Sequence, residues 1–297
     1  MLQPMFFSIG CKPFWKIMKR SFFVFLLLPL GVIAYAQSKK IDTANMLCSY
    51  VYEYLTDTLP EEQQRKEDLL YLQIGTECSK CYSYYTYQCD SLMTAPNGDK
   101  LWDSFLTEAI GQGLKGKQLR NAIPHHRMTT CIYKNYPQGK ASVTDFLLGQ
   151  YYLYEDSLSA QEWNIESDSL KIILGHKCQK ATCDFRGRLW TAWFALDIPI
   201  SDGPWKFDGL PGLIMEVFDK GKQYYFCING MQQINSVPIT FGILDKGFKY
   251  FQKTNRKNFL LSKYKYLKNK NSINEASTGI SLGIVDEVQK YDLIERE

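Results

Sequence analysis

Across residues 190–198 the even positions Trp190, Ala192, Phe194, Leu196 and Ile198 are all apolar, while Thr191, Trp193, Ala195 and Asp197 are mixed. A period of two is the spacing of a strand with one face on a core, so the even set is expected to face inward and Trp193 to stand on the opposite face. Short runs of the same texture crowd the second half of the chain, at 145–148, 150–154, 170–174 and 178–186. Runs at 213–218 and 224–228 flank Asp219-Lys220-Gly221-Lys222, a hairpin signal with glycine in the turn. Strands this close, with short turns between them, favour hairpins over helical crossovers. The expected fold class is therefore mainly β (α+β): a curved antiparallel sheet, bowl-like or half-barrel, with one or two helices.

The first half is sparser. Residues 46–54 and 69–73 read as strands joined by a charged stretch at 60–68. One helix is expected near 99–111, where Leu101, Trp102, Phe105, Leu106, Ala109 and Ile110 recur at helical spacing behind Asp99 as a cap. A second is expected near 255–267, with Thr254 as cap and Phe259, Leu260, Tyr264 and Leu267 on one face. It lies within residues 246–270, which hold nine Lys or Arg and no acid. That stretch reads either as a docked terminal helix with a solvated basic side or as a basic helix meeting an anionic surface.

Lys19 and Arg20 precede an apolar run at 22–33, and Ala34-Tyr35-Ala36 supplies the small-x-small pattern of a signal-peptidase site. Residues 1–36 are thus expected to be a Sec-type signal peptide, with Gln37 as the new N-terminus and no transmembrane segment after cleavage. Met18 precedes the basic pair, so residues 1–17 read as an over-extended start. The formal charge of +4 falls to about zero without that segment, which carries Lys12, Lys16, Lys19 and Arg20 and no acid. A neutral chain lacks the basic footprint of a nucleic-acid binder. The expected organisation is one β-rich domain over 37–270 followed by a loosely ordered tail at 271–297, the whole being periplasmic or extracellular.

Eight cysteines follow the signal: Cys48, Cys78, Cys81, Cys89, Cys131, Cys178, Cys183 and Cys227. An even count in an exported chain reads as a disulfide framework, with spacing unable to choose the connectivity. Cys178 and Cys183 are an odd number apart, so on one unbroken strand they face opposite ways and do not pair together. Cys78-Ser79-Lys80-Cys81 has the spacing of redox and zinc sites, yet it sits among tyrosines rather than at the helix start of a βαβ unit. Zinc finds no second cysteine pair at matching spacing, and neither the adjacent His125 and His126 nor the isolated His176 offers a metal set. Neither metal nor cofactor is expected. Nucleophile elbow, phosphate loop, dinucleotide fingerprint and His-Glu-x-x-His helix are all missing from the sequence. Carboxylate pairs such as Asp197 with Asp202 or Asp208 cannot be ranked from one sequence.

One segment carries more identity than the rest. After Gly175-His176-Lys177-Cys178 and Leu189-Trp190-Thr191-Ala192-Trp193-Phe194, the chain runs Gly203-Pro204-Trp205-Lys206-Phe207-Asp208 and then Gly209-Leu210-Pro211-Gly212-Leu213-Ile214. This resembles the GLPGLI family of exported bacterial proteins, closely over residues 170–230. The likeness is weaker at Leu72-Gln73-Ile74-Gly75 and at Ser79-Lys80-Cys81-Tyr82-Ser83, where the family more often has an aromatic residue in place of Cys81. The chain also resembles the bowl-like, non-catalytic N-terminal domain of one type of secreted peptide N-glycosidase. The resemblance implies export and a curved sheet; it assigns no biochemical role.

Read physically, Pro211 fixes its own φ and biases Leu210 to an extended conformation, while Gly209 and Gly212 permit positive φ or close backbone approach. Leu210, Leu213 and Ile214 then anchor a tight corner on the core. The alternative is that Trp193, Trp205 and Phe207 line an apolar concavity holding a ligand or peptide. Three function classes follow. The first is a non-enzymatic envelope module for binding, carriage or accessory work, taking an apolar ligand, a peptide or an envelope protein. The second is a thiol–disulfide enzyme using Cys78 and Cys81. The third is a hydrolase with no recognisable motif.

Overall fold

The computed structural model describes residues 39–55, 65–158, 161–242, 250–278 and 292–296. The expected signal peptide, with its expected cleavage site and over-extended start, lies outside the described residues. Within them, strands β1 (Lys39–Tyr54), β2 (Lys66–Gly75), β3 (Ser79–Ser83), β4 (Cys131–Lys134), β5 (Lys140–Leu147) and β6 (Gln150–Ser157) come from the first half. Strands β7 (Asn164–Ile173), β8 (His176–Phe185), β9 (Arg188–Ala195), β10 (Ile214–Asp219), β11 (Tyr224–Phe241) and β12 (Gln252–Lys253) follow. They form one sheet in the order β12-β6-β5-β4-β3-β2-β1-β11-β10-β9-β8-β7. Only the short β12 runs parallel to its neighbour, β6; the other described pairings are antiparallel.

Local chemistry makes the hairpins. Leu148-Gly149, Leu174-Gly175 and Arg186-Gly187 all have positive φ at both residues, the two-residue turn whose twist matches the strands it joins. The expected turn at 219–222 forms differently: Lys222, at φ +49, takes the left-handed position rather than Gly221. Along β9 the even residues Trp190, Ala192 and Phe194 are buried as the alternation predicts. The strand then ends at Ala195, so Leu196 lies 48 % exposed instead of continuing the core row.

Closure of the sheet follows from one distance. Arg186, just past β8, reaches Asp156 of β6 at 2.6 Å. Nine strand-to-strand steps separate β6 from β8 in the sheet. In a flat sheet that span would be roughly 43 Å at the usual strand spacing. The sheet is therefore curled until its flanks meet, and its inner face carries the core: Tyr50, Leu70, Leu72, Val143, Tyr154, Trp190 and Phe226 among others.

Five described helices exceed the one or two expected. α2 (Gly98–Gly111) and α4 (Arg256–Lys268) match the sequence expectation. Asn97 rather than Asp99 precedes α2, and Asn255 rather than Thr254 caps α4 by accepting from the Asn258 amide at 2.8 Å. α4 docks: Phe259 is buried with its ring 5.6 Å from Tyr152 and 5.5 Å from Tyr154, which covers the β6 side of the sheet. α1 (Tyr84–Thr94), α3 (Gly116–Ala122) and α5 (Lys270–Thr278) were not expected. α1 starts where Ser83 Oγ accepts from the Thr86 amide at 3.1 Å, a cap signal hidden in a tyrosine-rich stretch. The expected loose tail at 271–297 is also corrected in its described parts. Residues 271–278 belong to α5, and 292–296 are docked against the sheet with Glu295 buried.

Candidate functional site

The chain between β9 and β10 folds back into the concave side of the sheet. Trp205, Phe207, Leu210, Leu213 and Ile214 are all buried there. Phe207 meets Trp190 edge to face at 4.7 Å and Phe226 at 6.0 Å, while Trp205 lies 5.9 Å from Phe185. Trp205 and Phe207 thus come together, on the Trp190 side of the sheet. Trp193 does not join them. Its register partners are Lys180 and Glu216, and Lys171 Nζ sits 5.4 Å over its ring, on the other face. There the largely buried Glu216 accepts from Lys171 Nζ and from the Tyr225 hydroxyl at 2.7 Å. The three aromatic residues therefore do not line a common concavity.

The motif holds this inserted loop by backbone constraint. At Gly212 a Cβ would stand 1.9 Å from the Ala195 carbonyl oxygen, so only glycine admits the approach of the loop to β9. Around it Leu213 N donates to Ile198 O at 3.0 Å and Ala195 N to Leu213 O at 2.9 Å. Gly203 N donates to Asp202 Oδ1, and Phe207 N closes a turn onto the Pro204 carbonyl at 3.1 Å. Trp205 takes φ +53, a left-handed conformation unusual for a bulky residue. It is held by the buried ring and by donation of its amide to Cys81 Sγ at 3.3 Å. Pro211 stays at the surface.

Buried charge completes the plug, and the sequence reading missed it. Lys134 pairs with Asp202 and donates to the carbonyls of Gly203 and Phe207 at 2.6 and 3.0 Å. Lys206 meets Asp156 at 3.0 Å, Glu295 at 2.5 Å and the Tyr154 hydroxyl at 3.3 Å. Buried charges are tolerated only when paired and hydrogen-bonded, and these are. A signal was present in the sequence: Lys206 lies between two large aromatic residues, Trp205 and Phe207, close before the aliphatic anchors of the motif.

The cysteines correct a second expectation. Among the described residues no disulfide joins Cys48, Cys78, Cys81, Cys89, Cys131, Cys178, Cys183 and Cys227; they stand as thiols. Register explains one case. Cys48 is opposite Leu72, which is opposite Cys81, so the two residues share a row but their Cα atoms sit two strand spacings apart, about 9.6 Å, beyond bridging range. Cys178 and Cys183 lie opposite Ala195 and Trp190, on opposite faces as parity requires. Cys78 packs with Ala44 and Ile239 whereas Cys81 packs in the main core, so the Cys-x-x-Cys spacing makes no dithiol. Burial pushes both thiols up to about 12, away from the thiolate a redox site needs. Among the described residues no three His, Cys, Asp or Glu side chains are placed to hold a metal. His126 bonds Asp90 at 2.7 Å and His176 bonds Asp197 at 2.7 Å. Within the described residues no helix is long and apolar enough to cross a membrane.

Comparison with known proteins adds a family likeness at this loop. Residues 185–216, from the end of β8 into β10, match a GLPGLI-type family model described as a protein of unknown function (Porph_ging). No match is found among curated proteins. Two solved structures show a distant similarity to this chain: PNGF-II in its P21 crystal form, with TM-score 0.47 and 12 % identity over 76 % of this chain and 34 % of that one, and PNGF-II in its C2 form, with TM-score 0.46 and 11 % identity over 76 % and 33 %. This chain spans about a third of the length of those structures.

Proposed function

We propose that the protein is an exported cell-envelope protein acting as a non-enzymatic binding, carrier or accessory module. The observation that carries this reading is the loop of residues 196–213, which fills the concave side of the sheet with its own aromatic rings and mutually neutralised charges. A filled interior supports a partner met on the outer surface, a peptide or an envelope protein, over an apolar ligand inside the bowl. The face around Trp193 is the surface best suited to it, with a half-buried indole flanked by Lys171 and Lys180, while Trp205 and Phe207 serve the fold beneath. Export rests on the basic pair, apolar run and Ala34-Tyr35-Ala36 pattern, no longer on the cysteines.

The thiol–disulfide alternative lacks a dithiol and has thiols with raised pKa, so the binding reading is preferred. The test is purification of the natively secreted protein, N-terminal sequencing, and mass spectrometry of what co-purifies with it and with its Trp193→Ala variant. A start at Gln37 and a partner lost from the variant support the reading. A cytosolic protein with an intact leader, or insulin-reducing activity abolished by Cys78→Ser, overturns it.

A further inference from the structure

The curled sheet meets itself at a seam rich in buried and half-buried charge. Four cations converge on it: Arg186 and Arg188 from the β8–β9 hairpin, Lys206 from the motif loop and Arg256 from α4. Among the described residues, the sheet and its hairpins supply two carboxylates to them, Asp156 and Asp219. That leaves two positive charges unbalanced beside the buried Arg188 and Lys206. The segment 292–296 brings two carboxylates and one cation of its own, Arg296, which pairs with Asp292 at 2.5 Å. Asp292 pairs with Arg188 at 2.8 Å; Glu295 receives Lys206 at 2.5 Å and Arg256 at 3.4 Å.

The backbone of the segment is read as well. Tyr224 OH donates to the Asp292 carbonyl at 2.6 Å, Arg188 donates to those of Leu293 and Ile294 at 2.8 and 3.1 Å, and Arg296 N donates to Arg186 O at 2.9 Å. Three successive carbonyls, one amide and two acidic side chains are engaged by groups more than a hundred residues away in most cases. Recognition of main chain together with spaced side chains is how a receptor holds an extended peptide.

We infer that the Arg186–Arg188–Lys206–Arg256 seat binds an acidic peptide with carboxylates three residues apart, and that its occupant is the chain's own Asp292–Arg296, a strap that locks the seam. This stands on the seam geometry and not on the proposal that Trp193 meets a partner.

The test uses the full-length mature protein and hydrogen exchange read by mass spectrometry. In Glu295→Gln, and separately in the less buried Asp292→Asn, amides of 154–157 and 185–189 exchange about tenfold faster or more, while those of β1 and β11 stay slow, the pattern of a local opening. A synthetic peptide of residues 291–297 added to either variant restores slow exchange at the seam, and a scrambled peptide of the same composition does not. Three results overturn the inference: unchanged exchange at the seam, acceleration spread evenly over the sheet, or seam opening that the peptide fails to reverse. If Glu295→Gln does not fold, Asp292→Asn alone decides.

Discussion

The indole of Trp190 and the ring of Phe207 meet edge to face at 4.7 Å, one on the central row of β9 and the other on the loop that returns over it. Both are wholly buried. This contact ties the alternation of a strand to the glycine- and proline-rich loop that follows it, and it fixes what substitutions around that loop should do.

Trp190→Ala and Phe207→Ala should each lose about 3–5 kcal/mol, the range for buried aromatic truncations. Trp193→Ala, on the opposite face under Lys171, should lose only about 1 kcal/mol. Thermal or urea unfolding of the three variants checks the ordering. Equal losses at Trp190 and Trp193 would contradict the assignment of faces.

Gly212→Ala places a methyl group where the Ala195 carbonyl oxygen stands, so the loop must lift from β9. A loss of about 3 kcal/mol or more is expected, as for severe overpacking. The neighbouring Pro211→Ala, at the surface, should change stability by less than about 1 kcal/mol. Urea midpoints separate the two.

Asp145 gives a pH signature. Burial alone would raise its pKa, but Lys263 at 2.7 Å and the hydroxyls of Thr129 and Thr130 outweigh it and hold the carboxyl below its ordinary range. The folded state therefore binds fewer protons there, and the contribution is complete above the ordinary carboxylate value and fades as the pH falls through the lowered one. Lys263→Met should be less stable than wild type at neutral pH, with the gap narrowing as the pH falls below the ordinary carboxylate range. A gap independent of pH would show that the pair does not set the titration.

The thiols supply a count. Burial raises Cys48 and Cys183 to about 12 and Cys178 to about 11, so native protein should react slowly with a thiol reagent near neutrality. Unfolded without reductant, it should release eight reactive groups. Release of none under those conditions would reinstate the disulfide framework.

Period-two patterning was readable because it lives inside a single strand; hence β9, the hairpins and the antiparallel class. Parity even placed Cys178 and Cys183. It says nothing about a loop that folds back, so Trp205 and Phe207 could not be assigned to the Trp190 side, and Trp193 was grouped with them by proximity in sequence. Pairing of cysteines failed for a related reason: the distance from Cys48 to Cys81 is set by strand order, which spacing does not encode. The tail was misread because Asp292 and Glu295 look solvated by composition, while their partners Arg188 and Lys206 lie far back in the chain.

The central claim is that the motif loop is the interior of the protein and not the lip of an open cavity. Residue-resolved hydrogen exchange tests it most directly, through the amides of Phe207, Leu213 and Ile214, which donate to Pro204, Ile198 and Asp202 inside the curled sheet. They are predicted to exchange as slowly as the amides of β1 and β11, opening only when the whole domain unfolds. Exchange within seconds at those three positions, with the sheet still protected, would contradict the account.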